Sequence, residues 1–330
     1  MRPVTIPSGS RASRPSRTFR FGVPPTMTRS PHPLRRFRNT LRALVRFESF
    51  AVVAALVLST TGLAARSPDE PPSSKETLDV EIVAHRGASA DAPENTLAAI
   101  REAWEQGADA VEFDIRLTAD GIAILCHDET AKRTTGVDRA IVDATFDELR
   151  QLDAGRWKGE AFAGERIPSL DEALAAIPAG RRALIEVKCG PEIVPELRRA
   201  IDEAGLPVEA TAIISFSEEV CAACKRELPE TPVYWLASLK RDPETGRWNR
   251  TVDELIAVAQ RHGLDGLDLQ ACELIDATFV RKVREARLQV HCWTVNDPEL
   301  ARRMLGAGVQ GITTDRPGPL RRELQNESER

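Results

Sequence analysis

Four short stretches carry the side chains most able to do chemistry: His85-Arg86-Gly87, Glu112-Phe113-Asp114, His127-Asp128 and Glu186-Val187-Lys188. An imidazole titrates near pH 6.5, so each His can take or give a proton at neutral pH. Two of them allow one to accept a proton from a nucleophile while the other protonates a leaving oxygen. Arg86 offers a planar fork to a phosphate, and Lys188 a second cation. Strand alternation puts Glu112 and Asp114 on one face, with Val111, Phe113 and Ile115 on the other. The apolar set suits a layer of covering helices, which turns both carboxylates inward; Glu186 and Lys188 pair in the same way. Three converging carboxylates repel one another, and a divalent cation removes that cost. An all-oxygen ligand set suits one hard ion, Mg²⁺ or Ca²⁺, better than zinc. The competing reading is a structural network in which Arg86 and Lys188 neutralise the acids. A cation, an Arg, a Lys and two His around one pocket is what phosphodiester cleavage asks for.

These residues sit at or near the ends of short β-rich runs. The runs are 82–85, 110–117, 122–126, 183–188, 212–216, 233–236, 266–269, 290–295 and 311–313. Helical patterns fall between most of them, at 94–106, 170–176, 193–204, 218–228, 252–262, 277–286 and 298–305, with Gly107, Gly205, Gly263 and Gly308 placed to stop helices. Such alternation predicts parallel strands under helices, and the length fits an α/β fold of the TIM (β/α)₈ barrel type. A doubly wound open sheet fits the same alternation. Nine runs are one too many for the barrel. Only Thr118-Ala119-Asp120-Gly121 separates the second and third, too short for a parallel crossover. A tight turn there folds the third run back as a hairpin-like return strand, with His127 opposite Phe113, between Glu112 and Asp114. In a barrel the C-terminal ends of the strands form the catalytic face.

The chain has 330 residues, 42% apolar and 29% charged, an ordinary globular balance with few aromatics. Its net charge of −5 is uneven: residues 1–66 hold twelve Arg against the single acid Glu48, a net +11, which leaves −16 for the rest. A body that acidic argues against nucleic acid as a partner. Residues 1–48 form a basic Pro/Arg/Ser-rich segment. Residues 49–65 read as a signal-peptide apolar stretch and cleavage region, which implies export to the periplasm or outside the cell. A retained membrane anchor and a buried helix are the other readings. Residues 66–79 read as a linker, 80–318 as the barrel and 319–330 as a polar tail. Cys221 and Cys224 form a C-x-x-C inside a helical pattern and read as two small apolar residues on one face rather than a redox pair.

At these residues the chain resembles the glycerophosphodiester phosphodiesterase family. The stretch V-A-H-R-G-A…A-P-E-N-T-L-A-A…G-A-D-A-V-E-F-D-I-R-L-T-A-D-G-I-A-I-L-C-H-D-E-T…R-T-T-G covers residues 83–136, followed by I-E-V-K (185–188), W-T-V-N (293–296) and G-V-Q-G-I-T-T-D-R-P (308–317). The resemblance implies a TIM-barrel hydrolase that needs one divalent cation and releases glycerol 3-phosphate and an alcohol from a small glycerophosphodiester. It implies His85 and His127 as the acid–base pair, Glu112, Asp114 and Glu186 as metal ligands, and Arg86 and Lys188 as phosphate contacts. The family usually carries an insertion after the H-D element, where the glycerol end is met. Here residues 129–168 are short and contain Trp157.

Trp293 is expected to wall the substrate pocket; filling the barrel is the less favoured reading. His291 reads as a packed residue. Glu94 and Asn95 are expected to cap the first helix and brace the His85 loop. No stable protein partner is expected; membrane attachment through residues 49–65 is the one alternative contact. A phospholipid phosphodiesterase of the phospholipase D-like kind on the same barrel, and a non-catalytic phosphodiester-binding module, remain as other functions. Attack by water and attack by the neighbouring glycerol hydroxyl both remain open.

Overall fold

The computed structural model describes residues 80–328. The expectations for residues 1–48, 49–65 and 66–79 fall outside the described residues. Nine strands follow: β1 Glu81–Ala84, β2 Ala110–Leu117, β3 Ala123–Leu125, β4 Arg182–Val187, β5 Thr211–Ser215, β6 Val233–Ala237, β7 Gly266–Gln270, β8 Gln289–Trp293 and β9 Gly311–Thr314. Their order is β1-β9-β8-β7-β6-β5-β4-β2-β3, and a β1–β2 pairing closes the ring. Eight parallel strands therefore make a TIM barrel, which excludes the open sheet. The ninth, β3, lies antiparallel on β2 with Ile115 opposite Leu125 and Leu117 opposite Ala123. That register is the reflection about residue 120 that the turn demands. Because β1 pairs with β2 only at Ala110 and Val111, the far half of β2 rises above the ring with β3 beside it. His127 is thereby carried to the mouth.

Every strand is buried on both faces, as parallel sheets require. Val111, Phe113 and Ile115 join the large outer core with helix residues such as Ile100, Leu170 and Leu174. A separate core fills the barrel: Val83, Ala110, Leu184, Ala212, Ile214, Tyr234 and Leu236, with Trp293 against it. His291 belongs beside this inner layer. It is buried, its ring centroid 5.0 Å from that of Tyr234, and burial pushes its pKa down to about 3, so it is neutral. Residues 129–168 form short helices and turns over a small core of their own that includes Ile124, Ile141, Leu149 and Ile167.

Three expectations need correction. Residues 319–330 are not simply a polar tail: Pro317–Ser328 is a helix, and it buries Leu320 and Leu324. A boundary at 318 cuts that helix, because its apolar pair is sparse enough to look solvated in the sequence. The first helix is Leu97–Glu105 rather than 94–106, and its cap is Thr96, whose side chain accepts from the Ala99 N–H. Glu94 and Asn95 are left to other work. Elsewhere the strands begin or end one or two residues from the expected bounds. Cys221 and Cys224 are buried thiols on one helix, Glu218–Glu227, as expected.

The inner layer generates a test. Gly311 is paired with His291, and a Cβ there would stand 2.3 Å from His291 Nδ1 and 2.5 Å from Cε1. A ring in a packed layer cannot swing away, so Gly311→Ala should cost about 1–3 kcal/mol of unfolding free energy by overpacking. In urea unfolding the cost should shrink when His291→Ala is combined with it; strictly additive losses would exclude the clash.

Candidate active site

The chain leaves β1 through a sharp loop. Arg86 adopts φ 54° and Gly87 φ 79°. A Cβ on Gly87 would lie 2.5 Å from the Ala99 carbonyl carbon, so only glycine lets the first helix pack this close. The loop is held on both sides: His85 N–H donates to the Thr314 carbonyl at 2.8 Å and Arg86 N–H to Glu112 Oε2 at 2.9 Å.

Glu112, Asp114 and Glu186 are all buried, and one carboxylate oxygen from each lies within 4.8 Å of the others. Glu112 Oε1 and Asp114 Oδ1 have no hydrogen-bond partner among the described residues. Asp114 is pinned by Asn95, which donates from Nδ2 to Asp114 Oδ2 at 2.8 Å and accepts the Asp114 N–H at 3.0 Å. Arg86 Nε stands 3.2 Å from Asp114 Oδ2, and Lys188 Nζ reaches Glu186 Oε1 at 2.8 Å and Asp114 Oδ1 at 3.6 Å. Two cations thus face three acids. Burial first, and then the charges of Asp114 and Glu186, push the Glu112 carboxyl well up; burial and Asp114 push Glu186 up to about 7. Unpartnered, inward-facing oxygens at ligand spacing fit a hard divalent cation, with Glu112, Asp114 and Glu186 as the residues able to hold it.

Each imidazole on the rim has its own carboxylate. His85 Nδ1 is 2.6 Å from Asp315 Oδ1, and its Nε2 is 4.0 Å from Glu112 Oε2. Asp315 is braced by Ser89 Oγ at 2.9 Å and Asn296 Nδ2 at 2.6 Å. Burial alone would raise the Asp315 carboxyl; the hydrogen bond and charge of His85, with Asn296 and Ser89, outweigh it and hold it at about 2. His127 Nδ1 is 2.7 Å from Asp128 Oδ1. Asp128 is held at about 2, chiefly by Arg133. Burial lowers the His127 pKa, partly offset by Asp114 and Asp128. Arg133 also grips Glu94 through two bonds of 2.6 and 2.8 Å, and Glu94 in turn accepts from Arg86 at 2.9 Å. A chain of charge pairs therefore runs Arg86–Glu94–Arg133–Asp128–His127.

His85, Arg86, Glu112, His127, Glu186, Lys188 and Trp293 line one cavity of about 200 Å³, and Asp114 lies buried behind it. All eight residues singled out from the sequence are brought together. Trp293 forms a wall with Phe216, their rings edge to face at 5.5 Å. Phe216, Asp315, Asp128 and Arg133 went unassigned in the sequence. Asp315 lay within T-T-D-R-P and Arg133 within R-T-T-G, but which imidazole or carboxylate each would meet depends on contacts across 230 and 39 residues.

A parallel barrel with a buried acid triad able to hold a cation, and with two imidazoles, an Arg and a Lys at its C-terminal mouth, fits a phosphodiester hydrolase. The model of the glycerophosphoryl diester phosphodiesterase family matches residues 85–319, and the chain belongs to that family. It is 33% identical over 256 residues to the glycerophosphodiester phosphodiesterase of Caldanaerobacter subterraneus, covering 72% of this chain and 95% of that protein. Among solved structures it resembles an Oleispira antarctica phosphodiesterase in complex with the product sn-glycerol-3-phosphate (TM-score 0.65, 29% identity, 74% of this chain and 96% of that one). It also resembles the glycerophosphodiester phosphodiesterase of Agrobacterium tumefaciens (TM-score 0.62, 28% identity, 75% and 99%). The chain is a phosphodiesterase of this family.

The acid triad sets a pH signature for protein stripped of metal. Glu186 ordinarily titrates near 4.5 and is raised to about 7 in the fold. Below 4.5 both folded and unfolded chains are protonated there. Between 4.5 and about 7 the unfolded chain releases its proton while the folded one keeps it, so stability falls as pH rises through that window. Thermal melts in chelator should show this decline. Saturating Mg²⁺ or Ca²⁺ should remove it and stabilise the protein by about 3 kcal/mol at a hundredfold excess over Kd. Melts indifferent to both cations at pH 7 would exclude a cation site.

Proposed function

We propose that this protein hydrolyses glycerophosphodiesters to glycerol 3-phosphate and an alcohol, with His85 and His127 as the proton-transfer pair and Mg²⁺ or Ca²⁺ held by Glu112, Asp114 and Glu186. The observation that carries this reading is the pair of His–Asp contacts on one rim above the acid triad. Asp315 and Asp128 are anionic at neutral pH, so each fixes a proton on the Nδ1 of its partner and leaves Nε2 free for the substrate. One imidazole takes the proton of the attacking oxygen and the other delivers a proton to the departing alkoxide. Arg86 and Lys188, already facing the triad, bind the phosphoryl oxygens and orient the ester for attack. When bound, the cation supplies Lewis-acid stabilisation of charge on the phosphoryl group. Trp293 and Phe216 shield one side of the pocket from water. The basic segment and apolar run at residues 49–65 support export through an N-terminal signal, which N-terminal sequencing of the mature protein tests. Among the described residues, no helix is long and apolar enough to cross a membrane.

Turnover of glycerophosphocholine checks the assignment. Replacing His85 or His127 by Ala should lower kcat by about 10²–10⁴. Asp315→Asn, which keeps the shape but releases the tautomer of His85, should lower kcat by at least about 10² with little change in KM. Near-normal turnover in either His variant, or full activity after complete chelation, contradicts the reading.

A further inference from the structure

The proton-transfer and charge-neutralising roles leave two buried polar side chains of the cavity unused. Asp268 and Thr313 line the same 200 Å³ cavity as His85 and Glu186. Both are nearly inaccessible, 1% and 2% exposed, and Asp268 Oδ1 and Thr313 Oγ1 have no hydrogen-bond partner among the described residues. Leaving such atoms unpaired in a barrel is costly, so their presence calls for a partner that arrives with the ligand. Ring order places them. Strand β7, which carries Asp268, stands four places round the barrel from β2, which carries Glu112 and Asp114; β9, with Thr313, stands between them on one side. The cavity floor is thus acidic on the cation side and ends, across the barrel, at Asp268. Beside that far end lie Leu236, in register with Asp268, and Trp293, whose indole N–H donates to the Asp268 carbonyl at 3.1 Å. Burial, and then the charges of Glu186 and Glu81, push the Asp268 carboxyl well up, which favours a protonated group able both to donate and to accept.

A second, wider cleft of about 480 Å³ meets the first at His85 and Arg86 and is lined by Ser89, Asn296, Asp315 and Arg316. A phosphodiester lying on His85 and Arg86 therefore has one arm in the narrower cavity that ends at Asp268 and Thr313 and the other in a broad groove.

We infer that Asp268 and Thr313 form a hydroxyl-recognition floor that receives the glycerol end of the substrate, while the departing alcohol lies in the wider cleft. This rests on the proposed hydrolysis of glycerophosphodiesters and adds the residues that select the polyol. Specificity follows from the pairing. A site built to bond a hydroxyl discriminates strongly against an analogue that lacks it, because its own buried groups then stay unpaired. A groove of 480 Å³ imposes no such demand on the alcohol.

Calorimetric binding to the cation-loaded protein tests the floor independently of turnover. The probes are sn-glycerol 3-phosphate and n-propyl phosphate, which differ only in two hydroxyls. The wild-type protein should bind glycerol 3-phosphate at least about tenfold more tightly. Asp268→Ala and Thr313→Val should each erase most of that preference while leaving the Kd for propyl phosphate within about twofold. Thr313→Val is nearly isosteric and keeps the test alive if the Asp268 variant fails to fold. A wild-type preference below twofold, or one that survives both substitutions, overturns the assignment of the floor. Failure of the hydrolytic reading would show separately, as absence of glycerophosphocholine turnover by the wild type.

Discussion

The mouth of this barrel is governed by an unbalanced charge. Three carboxylates are buried close enough together to share one ion, and Arg86 and Lys188 are the permanent cations that stand against them among the described residues. Two like charges about 4 Å apart repel by about 4 kcal/mol even at an effective dielectric near 20. Such a cluster survives folding only by holding protons or by holding a cation. Everything around it serves that choice. Asn95 fixes Asp114 from two sides, the Arg86 N–H fixes Glu112, and Lys188 fixes Glu186, so the free oxygens point at a common centre. The site spends stability on pre-organisation, as functional sites do.

The imidazoles solve a different problem. A His beside such an acid triad would lose its tautomer and its orientation without an anchor. Asp315 and Asp128 provide one each, from β9's exit and from the residue next door, and both are strong enough acids to stay charged. The Asp128 anchor is tied through Arg133 and Glu94 back to Arg86, so Arg86 and His127 share one rigid frame. Loops make poor frames for sites, yet this rim is almost wholly loop. Charge-assisted pairs with several bonds per partner give it the stiffness that strands would otherwise supply.

Much of this was legible in the sequence because period and punctuation are local. The alternation of strand and helix, the four-residue turn before the return strand, and the inward parity of Glu112, Asp114 and Glu186 all follow from nearest neighbours along the chain. The reflection that brings His127 to Phe113 needed nothing beyond a tight turn. Other features needed tertiary contacts. Glu94 and Asn95 have cap-like chemistry, and nothing local says that Thr96 takes the cap while they reach for Arg86, Arg133 and Asp114. The last helix hides in a polar composition because Leu320 and Leu324 are the only large apolar side chains it buries among the described residues. Asp268 gave one faint signal, a lone acid at an inward position between Leu267 and Leu269.

The inner layers explain why so polar a mouth can sit on a folded barrel. Directly beneath it the interior is sealed by Tyr234, Leu184, Val83 and Ile214, with His291 held neutral against Tyr234 over the space that Gly311 leaves. Water that reaches the triad therefore meets an apolar plug and cannot pass down the axis. That plug keeps the local dielectric low, which strengthens every interaction a phosphoryl group would make with Arg86, Lys188 and the rim imidazoles. The same low dielectric makes the unpaired oxygens of Glu112, Asp114, Asp268 and Thr313 costly. Any group that pairs with those oxygens relieves the cost, so the mouth is built to favour a ligand that arrives with cationic or hydrogen-bonding partners.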